Sequence, residues 1–250
     1  MGPLPAQQLS HARVRGLTAG MHRTRMHGNR PAVRRRAVNG EQKARRRRAI
    51  LDAALELFDA RGFERVSVAE VAARTRLAKG TLYLYFPTRE ALFLALLTEQ
   101  FEAFFDALDA ALERPVSRDA FVDHLVRDLH ARPRLLRLIA VMHTVLERNV
   151  DLDTALEFKR FLAARAQASG ARIDTRVRGV PTGFGQRLLL WLHALAIGLH
   201  HMAEPAPVVR QAIRADPRLA AFDIDFPHEL RAMLTRLLRA PARSTSRLDG

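Results

Sequence analysis

The sequence predicts an all-α protein, with an amino-terminal three-helix domain that contains a helix-turn-helix and a larger helical domain after it. Two observations carry this prediction. Segments between residues 41 and 239 keep apolar residues at the three- and four-residue spacing of helices, and the stretch Ser67 to Arg89 holds two short helices around a polar turn. We predict a disordered basic arm over 1–40, the helix-turn-helix domain over 41–90, the larger domain over 91–240 and a loose tail over 241–250.

Composition limits the class of protein. Of the 250 residues 48% are hydrophobic, which is ample for packed cores in two domains. The sequence has no cysteine, so disulfides and thiolate metal sites are excluded and a reducing cytoplasm is the simplest location. The longest apolar run, 188–199, is interrupted by His193 and falls short of the roughly 20 residues that span a bilayer. We therefore expect no membrane contact, and no secretory signal in the first 40 residues.

Positive charge is concentrated at the amino terminus. Residues 1–48 carry 13 Lys or Arg and a single acid, Glu41, whereas the remaining residues hold 28 basic and 25 acidic side chains. Such an arm binds phosphate without regard to sequence, and 34–36 and 45–48 are the parts most suited to lie along DNA. A membrane surface or an acidic protein would attract it too. A transit peptide, or a translation start assigned too far upstream, also fits residues 1–40.

The helix-turn-helix is signalled by local patterns. Ser67 and Glu70 have the spacing of a capping box, and Val66 and Val71 have that of a hydrophobic staple. A helix therefore starts at Ser67, and the polar run 74–76 ends its apolar pattern.

A second helix is predicted from Ala78 to Phe86, ended by Pro87. Leu82 and Phe86 are four residues apart and face inward. The residues left to face outward suit DNA, because Lys, Thr and Tyr donate to phosphates and an apolar side chain contacts thymine methyl groups. They are Lys79, Thr81, Tyr83, Leu84 and Tyr85. The alternative is that the two tyrosines are ordinary half-buried aromatics.

The segment KGTLYLYFPTREAL, residues 79–92, resembles the recognition-helix signature of the TetR-like family of transcriptional regulators. The similarity covers about residues 43–100. It implies that Thr81 and Leu84 touch base edges with Lys79 beside them, while Tyr83, Tyr85 and Arg89 hold phosphates. The full set of expected DNA-binding residues is Arg45, Arg46, Ser67, Lys79, Gly80, Thr81, Tyr83, Leu84, Tyr85 and Arg89.

Two positions depart from the family pattern. Arg76 stands where the turn usually has glycine, and Ala78 stands where Ser or Thr usually caps the second helix. A left-handed non-glycine residue and a missing cap each cost about 1 kcal/mol. Both departures bear on how the second helix is seated.

Further helices are predicted over 41–61, 88–112, 118–131, 133–149, 152–178, 186–203, 208–214 and 227–239, with a loop at 179–185. The helix over 88–112 reaches from the DNA-binding domain into the second domain. The resemblance implies that the helices over 186–203 and 227–239 pair with their copies in a four-helix bundle, so we expect a homodimer that reads a palindromic operator on double-stranded DNA. A monomer core is the alternative use of their apolar faces.

The resemblance also implies a cavity for a small-molecule effector in the second domain, which makes it a ligand-binding and dimerisation domain. Expected lining residues are Phe104, Met142, His143, Glu147, Phe158, Phe161, Trp191 and His193, and plain core packing is the alternative for each. We expect a repressor that the effector releases from DNA, without cofactor or metal. The rivals are an architectural DNA-binding protein driven by the arm, and a helical hydrolase or lyase using the histidines, for which no catalytic motif is present.

Overall fold

The computed structural model describes the backbone of residues 30–239 and the side chains of residues 40–239. The chain divides into two units, residues 1–43 and residues 44–250. In the first unit the described residues, 30–43, are helical. The prediction of a disordered arm is therefore wrong for residues 30–40, where Arg and Ala, both strong helix formers, outweigh the missing apolar pattern. Its remainder, residues 1–29, and the predicted tail lie outside the described residues.

Ten α-helices lie in the described part of the chain, which confirms the all-α prediction. Their bounds are α1 Arg30–Arg61, α2 Val68–Arg74, α3 Lys79–Tyr83, α4 Arg89–Ala111, α5 Arg118–His130, α6 Pro133–Val141, α7 Leu152–Arg176, α8 Phe184–Ala203, α9 Pro207–Ala215 and α10 Phe226–Arg239. Short 3₁₀ turns cover Phe63–Arg65 and Pro217–Phe222, and a π-helical turn covers Met142–Leu146. None of these helices is both long and apolar enough to cross a membrane.

The start of α2 is closed as the sequence predicts. The Glu70 amide donates to Ser67 Oγ at 3.2 Å, and the Ser67 amide donates to Glu70 Oε2 at 3.0 Å. These hydrogen bonds to Ser67 hold the pKa of the Glu70 carboxyl below its usual value. Val66 and Val71, the predicted staple, are both buried.

The turn from α2 to α3 is a Schellman motif built around Arg76, whose φ is 55°. The Leu77 amide donates to the Ala72 carbonyl at 2.9 Å and the Arg76 amide to the Ala73 carbonyl at 3.1 Å, so the free carbonyls of α2 are satisfied. Ala78 makes no side-chain cap bond. The sequence predicted α3 to reach Phe86, but the α-helix ends at Tyr83 because tighter bonds, such as Tyr85 amide to Leu82 carbonyl, take over.

Two predicted boundaries in the second domain were wrong. The helix predicted over 133–149 changes to a π-helical turn after Val141, where the Glu147 amide donates to the Met142 carbonyl at 3.0 Å. The loop predicted over 179–185 is shorter, because the Asp174 carboxylate accepts from the amides of Gly183 (2.6 Å) and Gly185 (2.7 Å) and so starts α8 early.

Helices α7 and α8 cross in close contact at Gly170 and Gly185. A Cβ on Gly170 would lie 2.6 Å from the Gln186 backbone nitrogen, and a Cβ on Gly185 would overlap the Gly170 carbonyl oxygen. Only glycine permits this approach.

Gly185→Ala is therefore expected to lower the free energy of unfolding by about 1 to 3 kcal/mol, because backbone must move apart to admit the methyl group. Thermal unfolding followed by circular dichroism measures this. Gly40→Ala in α1 is the control, since nothing lies within 4 Å of its Cβ position, and it should be neutral or slightly stabilising. Equal melting temperatures for Gly185→Ala and the parent would contradict the crossing.

Candidate DNA interface and effector cavity

Helix α3 presents its outer face to solvent and is anchored from beneath. Leu82 is fully buried and Phe86 is 4% exposed, whereas Leu84 is 80% exposed and Tyr83 41%. The inward and outward positions predicted for this segment are thus confirmed. Leu84 directly follows the five-residue α3 as its C-cap. Because its apolar side chain is almost wholly exposed to water, it contributes little packing to the fold and is available to a partner.

The other outward residues surround Leu84. Lys79 and Gly80 are exposed, while Thr81 and Tyr85 are half-buried. The Lys79 ammonium lies 5.9 Å from the centroid of the Tyr83 ring. Ammonium, hydroxyl and apolar groups therefore share one surface, which suits a groove edged by phosphates.

Two of the residues expected to bind DNA make contacts within the protein. Arg89 donates to Glu90 at 3.1 Å and lies over the Phe63 ring at 4.2 Å, and the Ser67 hydroxyl is engaged by Glu70. The capping box predicted the pairing of Ser67 with Glu70. Sequence reasoning missed the contact of Arg89 with Phe63, because the two residues are far apart in the chain and only the packing of α4 brings them together.

Within the run 45–48 the four arginines differ. Arg48 bridges Asp52 and Glu99, and Arg47 lies 5.2 Å from the Phe86 ring centroid, so both hold the helix-turn-helix together. Arg45 and Arg46, the two that the sequence assigned to DNA, are exposed on α1. They remain candidates for binding phosphates, a contribution to affinity that does not depend on the DNA sequence.

A cavity of about 610 Å³ lies between α4, α5, α6, α7 and α8. Phenylalanine and leucine side chains form most of its wall. The lining residues are Phe101, Phe104, Phe105, Leu129, Leu135, Ile139, Met142, His143, Lys159, Leu162, Ala163, Ala166, Gly183, Gln186, Arg187, Leu189, Leu190, Leu192, His193 and Ala196. This volume is typical of small-molecule sites.

Four of the eight predicted lining residues border the cavity, namely Phe104, Met142, His143 and His193. The other four do not. Phe158 and Phe161 border a separate groove of about 500 Å³ beside Phe86, because the cavity face of α7 is formed by residues 159, 162, 163 and 166. Trp191 points outward against Phe184, with ring centroids 5.7 Å apart, and Glu147 lies behind His143.

A chain of polar contacts crosses one end of the cavity. Lys159 Nζ lies 2.6 Å from Glu147 Oε1, and Glu147 Oε2 accepts from His143 Nδ1 at 3.0 Å. His143 Nε2 is 3.1 Å from His193 Nε2. The two ring centroids are 5.4 Å apart, which is close to the largest centroid distance possible for rings whose Nε2 atoms are 3.1 Å apart. The two nitrogens therefore point directly at each other, as in a hydrogen bond, and not toward a common metal position.

Burial keeps the ring of His193 neutral. Because Glu147 accepts at Nδ1 of His143, that nitrogen carries hydrogen. Burial, and next the neighbouring His143, lower the pKa of His193 to about 4, so its ring is neutral near pH 7. The two Nε2 atoms share one hydrogen bond. The π-helical turn, which the sequence did not signal, is what places His143 at this position.

Helix α6 also contacts the DNA-binding domain. Arg134 and Arg137 of α6 lie 2.6 Å and 2.8 Å from the Asp59 carboxylate of α1. The Arg137 guanidinium lies 4.6 Å from the centroid of the Phe58 ring. The opposite face of α6 lines the cavity through Leu135 and Ile139. A single helix thus touches both the cavity and the end of α1.

Comparisons with known proteins follow the same division of the chain. Residues 50–96 match the family described as "Bacterial regulatory proteins, tetR family", and residues 97–239 match "Tetracyclin repressor-like, C-terminal domain". The HTH-type transcriptional regulator UidR of Escherichia coli is 31% identical over 200 residues, which are 76% of this chain and 92% of UidR.

Further proteins are similar over part or most of the chain. The HTH-type transcriptional repressor KstR of Mycolicibacterium smegmatis is 31% identical over 48% of this chain, which spans 52% of KstR. Other curated relatives, among them YuxN of Bacillus subtilis, are matched over only about a fifth of their length. The Thermus thermophilus repressor FadR, solved with lauroyl-CoA, superposes with a TM-score of 0.53 at 17% identity, over 80% of this chain and 98% of FadR. That likeness supports the fold. The chain belongs to the tetR family of bacterial regulatory proteins.

Proposed function

We propose that this protein is a homodimeric, cytoplasmic repressor that binds a palindromic operator and is released from it by a small molecule. The observation that carries the proposal is the path of α4. This helix is capped by Thr88, shortly after α3 in the chain, and lines the cavity through Phe101, Phe104 and Phe105. Because α4 is a rigid helix that touches both the DNA-reading segment and the cavity, a ligand bound in the cavity can change the orientation of α3.

The direction of regulation is supported by relatives. KstR and the FadR of Thermus thermophilus are both named repressors, and that FadR was solved with a small molecule, lauroyl-CoA. An effector releases DNA only if it binds more tightly to the conformation that does not fit the operator. The contacts of α6 with Asp59 offer a second route for this coupling besides α4.

Exposed apolar side chains on the carboxyl-terminal helices support a dimer. They are Leu190, Trp191, Met202, Val208, Val209, Phe222 and Met233. A surface of this kind is typical of an interface between subunits. A two-fold pair of α3 helices would read half-sites about 34 to 36 Å apart.

The test is binding of the purified full-length protein to DNA flanking its own gene. Fluorescence anisotropy against scrambled competitor, at about 150 mM salt, suppresses sequence-blind phosphate binding. We expect a competitor-resistant complex with two subunits per site and a dissociation constant of about 10⁻⁸ M or below. If a selection from random DNA also yields no preferred sequence, the architectural alternative replaces this proposal.

A further inference from the structure

We infer that the cavity selects an amphipathic anion, with the apolar body among the phenylalanine and leucine side chains and the anionic group on Arg187 at the mouth. The inference deepens the proposed function, on which it rests, by naming the chemical class of the effector.

The cavity wall provides extensive contact for an apolar ligand body but provides no acidic side chain for a cation. No Asp or Glu is among the residues that line the cavity. Two acids contact lining residues, and both already have partners. Glu147 has one carboxylate oxygen 2.6 Å from Lys159 and the other 3.0 Å from His143, and Asp174 accepts from the amides of Gly183 and Gly185. A cationic ligand would enter an apolar space without a free counter-charge, which is unfavourable.

The polar groups at the end of the cavity that holds Lys159 and the two histidines already have partners. The charge of Lys159 is balanced by Glu147, and the rings of His143 and His193 hydrogen-bond to each other. This end therefore has no unbalanced cation to attract an anionic group. That leaves Arg187 and the neutral Gln186 among the polar lining side chains.

The side chain of Arg187 is exposed, and its guanidinium makes no ion pair or hydrogen bond among the residues that the structure describes. Arg187 is the fourth residue of α8, and a cation near a helix amino terminus opposes the helix dipole. Two amides at the start of α8 already donate to the Asp174 carboxylate, which offsets the helix dipole. The unpaired guanidinium of Arg187, and not the dipole, is therefore the group that would bind an anion, through charge-assisted hydrogen bonds.

The test compares three ligands with the same ten-carbon chain below their micelle concentrations: decanoate, decanol and decyltrimethylammonium. Calorimetric titration into the full-length protein, without DNA, gives each dissociation constant. We expect decanoate to bind at least roughly tenfold more tightly than the ammonium compound, because a charge-assisted hydrogen bond contributes about that factor or more. Equal binding of all three, or binding of none, would overturn the inference.

Two matched variants locate the anionic group. Arg187→Gln should weaken decanoate roughly tenfold and leave decanol unchanged. Arg160→Gln on α7 is the control, because Arg160 is also exposed but lies outside the cavity wall. If Arg187→Gln binds decanoate as the parent does, the guanidinium is not the anchor.

Decanoyl-CoA distinguishes the two sources of such an anion. Tighter binding of decanoate supports a free carboxylate, and tighter binding of decanoyl-CoA supports a carrier-bound acyl group whose phosphates reach Arg187. These titrations contain no DNA, so their result is independent of operator binding. The protein can bind its operator without binding decanoate, or bind decanoate without binding an operator. Failure of the inference is thereby separated from failure of the proposed function.

Discussion

Leu84→Ala is expected to reduce the preference for operator over scrambled DNA by roughly tenfold, since loss of one base contact costs about 1 to 3 kcal/mol. The side chain is 80% exposed, so its truncation removes almost no packing from the folded protein. Competition anisotropy measures the preference, and thermal unfolding checks that stability is unchanged. Leu152→Ala is the matched control, because Leu152 is 73% exposed at the start of α7 and should alter neither quantity.

The companion change Tyr83→Phe separates base reading from phosphate binding. Removing its hydroxyl should weaken operator and scrambled DNA alike, because a phosphate contact carries no sequence information. If Leu84→Ala left the preference intact while Tyr83→Phe lowered it, the roles assigned to the two side chains would be reversed. If neither changed any affinity, α3 would not be the DNA-reading helix.

The helix-turn-helix could be predicted closely because its signals are local. The capping box of Ser67 with Glu70 lies within four residues, and the Schellman turn at Arg76 depends only on the backbone of its neighbours. Arg89 shows the limit of such reasoning. Its guanidinium lies over Phe63, twenty-six residues earlier, so its role depends on how α4 packs against the 3₁₀ turn.

The cavity was expected only from the resemblance to the TetR-like family, and half of the residues expected to line it do so. The spacing of apolar residues shows that α7 and α8 are helices with apolar faces, but it does not show which face borders the cavity. For that reason Phe158 and Trp191 were wrongly expected to line it. The rotation of these helices is fixed by the close crossing of Gly170 and Gly185, a contact between residues in different helices. In the sequence, Arg187 looks like an ordinary solvent-exposed cation. Only the packing of α7 against α8 shows that it borders the cavity.

Leu82→Ala is expected to have the largest effect on stability, lowering the free energy of unfolding by about 2 to 5 kcal/mol. Leu82 is fully buried and, with Phe86, seats α3, a helix that has no side-chain cap and follows the left-handed Arg76. Few other contacts can compensate for the lost anchor.

Because Leu82 lies on α3, Leu82→Ala is also expected to weaken DNA binding. In Leu82→Ala, affinity for operator and scrambled DNA should fall together even below the unfolding temperature, because α3 loses its fixed position. Trp191 is the chain's single tryptophan and lies on α8, so its fluorescence reports the second domain separately. We expect native Trp191 emission at temperatures where DNA binding is already lost. A variant as stable as Leu84→Ala would show that α3 is held by something other than Leu82.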